Sequence, residues 1–124
     1  MHQAPGDDPL KLRPVGVVIE AGDVARIRIH EQYGAALLKI TPGEEYWVLY
    51  WMHRLAESGR ELLQAYPMGD RSKEKRGVFA LRSPMRPNPI GLTRVKLLQL
   101  DGNILIVEGL DAFEGSPVID IKPC

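Results

Sequence analysis

The sequence has a single cysteine, few histidines and no long apolar run, and these absences narrow its possible functions. Cys124 alone permits no intrachain disulfide and no cysteine-rich metal site. The histidines His2, His30 and His53 include no pair spaced by four residues, so no metal is predicted. No apolar stretch approaches the roughly 20 residues of a membrane span, and the first residues do not resemble a secretory leader. We therefore expect a cytoplasmic protein that contacts no membrane.

The chain also has no net charge, although its charges are unevenly distributed. It has 124 residues, 44% hydrophobic and 26% charged, which is typical of one soluble domain. Residues 71–86 carry six basic side chains and one acidic side chain, a net charge of +5. A charge run of this kind is often only a solvated loop. The alternative is a nucleic-acid contact through phosphates, for which the candidates are Arg71, Lys73, Lys75 and Arg76.

Short β-type segments separated by turns dominate the sequence and predict a mainly β fold. Short helical segments are expected at 32–38 and after Arg54. The pattern predicts one small antiparallel β-barrel-like domain with one or two short helices over residues 13–124, preceded by a flexible arm over residues 1–12. The predicted strands cover residues 14–19, 24–30, 46–52, 76–81, 90–100, 104–107 and 118–121.

The stretch Arg82–Gly91 contains the strongest indication of a binding site. Three prolines remove backbone donors and fix φ, so residues 83–89 are predicted to form a stiff extended loop. Rigidly held polar groups lower the entropic cost of binding a small polar ligand. Arg82 and Arg86 can each pair with a carboxylate or phosphate, and Asn88 suits an adenine edge. The alternative is a stiff turn whose arginines meet surface acids.

A second stretch, 109–122, places three carboxylates near a glycine turn. Asp111, Glu114 and Asp120 can receive a cationic ammonium or sulfonium group, or share a proton in acid–base chemistry. Asp120 lies within an apolar strand, where an ionised group is costly without a partner. A purely structural pairing of Asp120 with Lys122 or an arginine is the alternative.

Taken together, these stretches resemble the two hallmark segments of the TsaA-like family, which contains the TrmO-type methyltransferases. The segments are Arg76-Gly-Val-Phe-Ala-x-Arg-Ser-Pro-x-Arg-Pro-Asn-Pro-Ile-Gly91 and Leu110-Asp-x-x-x-Gly-x-Pro-Val-x-Asp-Ile-Lys-Pro123, in that order with a hairpin between them. Weaker likenesses occur at 14–18 and 47–53. The resemblance covers residues 13–123.

The resemblance implies a small β-barrel unlike the Rossmann methyltransferases, a homodimer, and S-adenosylmethionine bound near the subunit interface. It also implies methylation of N6 of threonylcarbamoyladenosine, at position 37 of tRNA beside the anticodon. Carried over by position, the cofactor-binding residues would be Arg82, Ser83, Arg86, Asn88, Ile90, Asp111, Pro117, Asp120 and Lys122.

Methyl transfer depends mainly on in-line orientation of the reactants. The carbamoylated N6 is a weak nucleophile, so a carboxylate that removes its proton would help. Asp120 and then Asp111 are the candidate catalytic residues, and His53 is a weaker candidate base.

The sequence departs from the family pattern at two places that bear on the methyl acceptor. Only 21–23 separates the first two strands, where TrmO-type proteins usually carry an insertion. The chain stops at Lys122-Pro-Cys124, where many members continue. Two alternatives therefore stand beside the tRNA methyltransferase: a methyltransferase on a non-tRNA substrate, and a non-enzymatic S-adenosylmethionine-binding module.

Overall fold

Six strands close into an antiparallel barrel in the computed structural model, which describes residues 6–124. In this part of the chain the strands are β1 (Gly16–Glu20), β2 (Val24–Ile29), β3 (Glu45–Trp51), β4 (Gln64–Ala65), β5 (Arg76–Gly77), β6 (Ile90–Asp101), β7 (Ile104–Glu108) and β8 (Pro117–Pro123). The barrel order is β1-β2-β7-β6-β3-β8, whereas β4 and β5 pair separately as a small hairpin. Short 3-10 helices span Glu31–Leu37, Glu57–Glu61, Pro67–Gly69 and Val78–Ala80. The predicted mainly β, antiparallel barrel is confirmed.

The core lies inside the barrel because alternate residues of each strand point inward. Along β3, Tyr46, Val48 and Tyr50 are buried. On β2, the predicted alternation is confirmed, since Ile27 and Ile29 are buried. Burying one such aliphatic side chain contributes about 1.5–3 kcal/mol. The other fully buried large side chains include Val18, Val95, Leu97, Leu105, Val107 and Val118.

The central position of β3 determines where the loops meet. β3 is bonded on one side to β6, with Trp51 opposite Ile90, and on the other side to β8, with Tyr50 opposite Val118. Both neighbours run antiparallel to it, so the end of β3 lies beside the start of β6 and of β8. The two segments identified in the sequence, 82–91 and 109–122, therefore flank the same end of the barrel.

The barrel is closed where the first strand meets the last. The β1–β8 ladder pairs Gly16 with Val118 and Val17 with Pro117 and is the shortest ladder of the barrel. A Cβ atom at Gly16 would lie 2.5 Å from the carbonyl oxygen of Arg28, so glycine is required where β1 begins to pair with β2.

Two local predictions need correction. The predicted strand 76–81 is wrong beyond Gly77. There the Arg86 guanidinium donates hydrogen bonds to the carbonyl oxygens of Val78 and Leu81, and the chain makes a 3-10 turn. The helical segment predicted at 32–38 is a 3-10 helix over Glu31–Leu37.

The predicted arm lies partly outside the described residues, which exclude residues 1–5. Residues 6–12 form no strand or helix, and their side chains are exposed. Within residues 6–124 no helix has the length and apolar content needed to cross a membrane. In the same part of the chain, no group of three or more His, Cys, Asp or Glu side chains is placed to hold a metal ion.

Candidate functional site

A cavity of about 580 Å³ lies at the barrel end where β3 ends and β6 and β8 begin. Its volume falls within the range of small-molecule sites, roughly 300–1,000 Å³. The end of β3, the loop that follows it, and the segments before β6 and β8 all contribute to the lining. The lining residues are Tyr50, Met52, Arg54, Leu55, Arg82, Ser83, Pro84, Arg86, Ile90, Gly91, Leu92, Thr93, Asp111, Ala112, Phe113 and Ser116.

The cavity brings together both segments predicted from the sequence. Among the predicted cofactor residues, those that line it are Arg82, Ser83, Arg86, Ile90 and Asp111. The remaining predicted residues, Asn88, Pro117, Asp120 and Lys122, are not part of its lining. The Asn88 side-chain oxygen instead accepts a hydrogen bond from Arg60 at 3.2 Å.

Arg86 holds the proline-rich loop together from within. Its Nε donates to the carbonyl oxygen of Ser83 at 2.8 Å, and its Nη2 donates to the carbonyl oxygens of Val78 and Leu81. These hydrogen bonds join a charged donor to backbone carbonyl oxygens, and hydrogen bonds with a charged donor are stronger than those between neutral groups. Arg82, by contrast, is exposed and lines the cavity. The two arginines therefore differ in their contacts: Arg86 fixes the loop, whereas Arg82 is accessible to a ligand.

Tyr50, which the sequence analysis placed only in a strand, joins the two walls of the cavity. Its hydroxyl donates to the carbonyl oxygen of Asp111 and lies 3.0 Å from the Thr93 hydroxyl. Its ring packs over Gly91, where a Cβ atom would lie 2.3 Å from the ring. Burial raises the pKa of Tyr50, the Thr93 hydrogen bond opposes this, and the negative charge of Asp111 adds to it. Tyr50 is thus a neutral donor at physiological pH.

A buried serine links the loop after β3 to the loop before β8. Ser116 is 1% exposed, and its hydroxyl donates to the carbonyl oxygen of Phe113 at 2.6 Å. The same hydroxyl lies 3.3 Å from Nδ1 of His53. Beside this link, the Arg54 guanidinium lies 4.6 Å from the centre of the Phe113 ring. Sequence reasoning did not identify Ser116 or Phe113, since only folding brings them next to the end of β3.

The two candidate catalytic carboxylates lie apart. Asp111 lines the cavity, whereas Asp120 lies on β8 outside the lining, opposite Leu49. Asp120 forms an ion pair with Lys122 at 3.5 Å and accepts a hydrogen bond from the Ile121 backbone at 2.9 Å. The structural pairing considered for Asp120 is therefore present.

The four predicted nucleic-acid contacts lie together on the β4–β5 hairpin. Their side chains are exposed. Arg71 and Lys75 lie 5.7 and 5.8 Å from the Tyr66 ring. The hairpin tip is fixed by Asp70, whose carboxylate accepts hydrogen bonds from the backbone and hydroxyl of Ser72. The Ser72 hydroxyl and then its backbone N–H lower the pKa of Asp70. The four predicted nucleic-acid contacts on this hairpin are Arg71, Lys73, Lys75 and Arg76.

An apolar patch covers the outside of the barrel next to the cavity. Because Tyr46, Val48 and Tyr50 face inward, the alternate residues of β3 face outward. They lie beside outward-facing residues of β6, of which Leu92 is 47% exposed. Ile90 and Leu92 also line the cavity, so the patch and the cavity are contiguous. We call this patch the outer apolar face, and it consists of Trp47, Leu49, Trp51, Ile90 and Leu92.

Comparisons with known proteins relate this arrangement to one family. The family model described as "tRNA-methyltransferase O N-terminal domain" matches residues 13–124. A "Probable S-adenosyl-L-methionine-binding protein" of Methanothermobacter thermautotrophicus is 44% identical over 131 residues, covering 94% of this chain and 91% of that protein. An "S-adenosyl-L-methionine-binding protein" of Archaeoglobus fulgidus is 48% identical over 99 residues, covering 80% of this chain and 68% of that protein.

Solved structures show the same fold. The crystal structure of TrmO from Pseudomonas aeruginosa matches with a TM-score of 0.69 at 22% identity. The match covers 94% of this chain and 56% of that chain, so this protein spans little more than half the length of its structural neighbour.

Proposed function

Since this chain belongs to the family of the tRNA-methyltransferase O N-terminal domain, we propose that it binds S-adenosylmethionine at the end of β3 and transfers the methyl group to RNA. The resemblance predicted from the sequence is thereby confirmed at the level of the family. The observation that carries the proposal is the convergence of segments 82–91 and 109–116 on one cavity of ligand size. The names of the relatives support the choice of cofactor.

The lining offers complementary groups for each part of this cofactor. The exposed guanidinium of Arg82 suits its carboxylate, and the carboxylate of Asp111 suits its cationic ammonium or sulfonium. Met52, Leu55 and Ile90 supply apolar surface. The bound cofactor would supply an electrophilic methyl group. The protein's own contribution is orientation, because Tyr50 and Arg86 fix the two loops before any ligand arrives.

We further propose that the acceptor is the N6 atom of threonylcarbamoyladenosine at position 37 of tRNA. The basic β4–β5 hairpin supports an RNA substrate, since four exposed cations on one hairpin can bind successive phosphates. Asp111 is the candidate for removing the N6 proton, because it lines the cavity and Asp120 does not.

A methyltransferase acting on another substrate is the second candidate. It is favoured by the formal net charge of zero and by the short connection between β1 and β2.

We also propose that the protein is a homodimer, formed through the outer apolar face. Its aromatic and aliphatic side chains other than Leu92 are half-buried, and contiguous apolar patches on a protein surface can mark association sites. Association there would place the pair Asp120–Lys122, which lies beside Leu49 and Trp47, at the subunit boundary. Asp120 and Lys122, two of the predicted cofactor residues outside the lining, would then adjoin the second subunit. A cytoplasmic location stays a prediction.

Two measurements test the function. Calorimetric titration of the folded protein with S-adenosylmethionine is expected to show binding that Arg82→Ala weakens about tenfold, equivalent to about 1.4 kcal/mol. The control is Arg26→Ala, which removes only a surface ion pair with Glu20. Absence of cofactor binding by the folded protein would contradict the proposal.

Methyl transfer is then measured with radiolabelled cofactor on tRNA with and without the threonylcarbamoyl group. Incorporation only into the modified tRNA is expected. Binding without transfer to either RNA would leave a methyltransferase of another substrate or a non-enzymatic binding module.

A further inference from the structure

Phe113 is the exposed aromatic residue of the cavity lining. Two aromatic side chains line the cavity, and Tyr50 is 5% exposed whereas Phe113 is 59% exposed. An exposed ring at the rim of a ligand-sized cavity offers apolar surface that the fold itself does not cover. Phe113 is therefore available to a ligand that enters the cavity.

The main chain beneath this ring is held in place. The carbonyl oxygen of Phe113 accepts hydrogen bonds from the backbone N–H of Ser116 at 3.1 Å and from its hydroxyl at 2.6 Å. Ser116 is itself buried and lies next to His53. The ring thus projects from a fixed turn, which lowers the entropic cost of packing a ligand against it.

Arg54 completes the surface. Its guanidinium lies 4.6 Å from the centre of the Phe113 ring, and it too lines the cavity. A guanidinium plane stacks on nucleobases and forms paired hydrogen bonds with phosphates. The Arg54 guanidinium lies over the Phe113 ring, so the stacked pair offers a flat surface to a base and a cation to the anionic backbone of the same nucleotide.

We propose that Phe113 and Arg54 form a stacking platform for the acceptor base of the RNA substrate. This inference rests on the proposed methyl transfer to RNA. The cavity suits one ligand of cofactor size, so the acceptor has to approach across the rim, where Phe113 is exposed. In-line transfer requires the base to be held still beside the methyl group. Enzymes that modify a base commonly hold it between aromatic or apolar side chains outside the helical stack.

The test uses two fluorescently end-labelled anticodon stem-loop RNAs, one with threonylcarbamoyladenosine at the acceptor position and one with an abasic nucleotide there. The full-length protein, saturated with S-adenosylhomocysteine, is titrated into each RNA, and binding is followed by fluorescence anisotropy. Phe113→Leu is expected to weaken binding of the modified RNA about tenfold and to leave binding of the abasic RNA unchanged, since base–aromatic stacking is of this magnitude. Phe113→Trp is expected to bind both RNAs as the wild type does. The dissociation constant for S-adenosylmethionine, measured by calorimetry, should stay within about twofold, as expected when the base contact is separate from the cofactor contacts.

Phe79→Leu is the matched control, since Phe79 is 88% exposed and lies outside the cavity lining. Arg54→Gln is a second variant at the platform and is expected to weaken RNA binding several-fold with unchanged cofactor affinity. The thermal unfolding midpoint of each variant confirms that it is folded.

The outcomes separate the platform from the function on which it rests. If the wild-type protein does not bind the RNA, the proposed function fails and the platform fails with it. If wild type binds the modified RNA and Phe113→Leu binds it equally well, the platform alone is overturned. If Phe113→Leu instead weakens cofactor binding and leaves RNA binding intact, the ring contacts the cofactor's adenine, and the platform is likewise overturned.

Discussion

Position 91 requires glycine because of close packing at the cavity wall and not because of a turn. Because Gly91 has no side chain, the Tyr50 ring can pack closely against β6, and from that position the Tyr50 hydroxyl reaches the loop that carries Asp111. The residue therefore couples strand packing to the geometry of the ligand-binding loop.

Gly91→Ala is expected to destabilise the protein by about 1–3 kcal/mol, because the added methyl group would lie 2.3 Å from the buried Tyr50 ring and would displace it. Urea unfolding measures the loss, and cofactor titration should show weaker binding since Tyr50 is displaced. Gly34→Ala is the control: its new methyl group would meet the Asn103 side chain at 3.5 Å, an ordinary contact. Equal stability of the two variants would contradict this account.

The two arginines of the proline-rich loop are expected to respond differently to the same conservative change. Arg86→Lys removes hydrogen bonds to backbone carbonyls and should cost about 1–3 kcal/mol of stability as well as cofactor affinity. Arg82→Lys should reduce cofactor affinity alone, because Arg82 is exposed. Differential scanning calorimetry with and without S-adenosylmethionine distinguishes the effects, and an unchanged unfolding midpoint in Arg86→Lys would refute the structural role.

At the scale of elements, the hairpin of β4 and β5 stands apart from the barrel sheet. Its basic residues form one exposed group, of which Arg71 and Lys75 lie near the Tyr66 ring. Such a group contributes to RNA binding mainly through counterion release.

The double variant Lys73→Glu with Lys75→Glu is expected to weaken tRNA binding and to reduce the salt dependence of the binding constant by about two units of slope. Filter binding at several salt concentrations measures both. Lys11→Glu with Lys39→Glu makes the same change in net charge at exposed positions outside the hairpin. If this control loses as much affinity as the hairpin variant, overall charge explains the binding and the hairpin does not.

Strand positions were largely predictable from the sequence, because alternation and turn residues are local signals. β1, β2, β3, β6, β7 and β8 match the predicted segments to within two residues. The prediction failed at Val78–Ala80, where apolar residues suggested a strand but a side chain from eight residues further along bonds the backbone.

The site was predictable only in part for a similar reason. The proline-rich loop could be predicted from its own residues. The hydrogen bonds from Tyr50 to Asp111 and between Ser116 and His53, however, join residues 61 and 63 positions apart. No periodicity encodes such pairs. The outward position of Asp120 likewise follows from the register of β8 against β3, which the sequence of β8 alone does not define.

For the whole molecule, the outer apolar face is the surface through which we propose that the protein dimerises. Leu49→Glu is expected to convert a dimer into a monomer, since it places a charge in the centre of this face, opposite Leu92 and Asp120. Sedimentation equilibrium measures the mass against the 13.9 kDa of one chain. Leu38→Glu is the control, because Leu38 is 81% exposed and lies outside the face. A wild-type protein that sediments as a monomer would exclude the proposed dimer.

The short ladder between β1 and β8 also has a dynamic consequence. Local opening of a native protein starts where few hydrogen bonds must break, which in this barrel is the β1–β8 ladder. This ladder adjoins the loop before β8, since the backbone of Val18 is hydrogen-bonded to both Gly115 and Ser116. Amide protons along β1 should therefore exchange with solvent faster than those of β3. A ligand bound to the neighbouring loop should slow that exchange. The exchange rate of the β1 amide protons should therefore show whether the cavity is occupied.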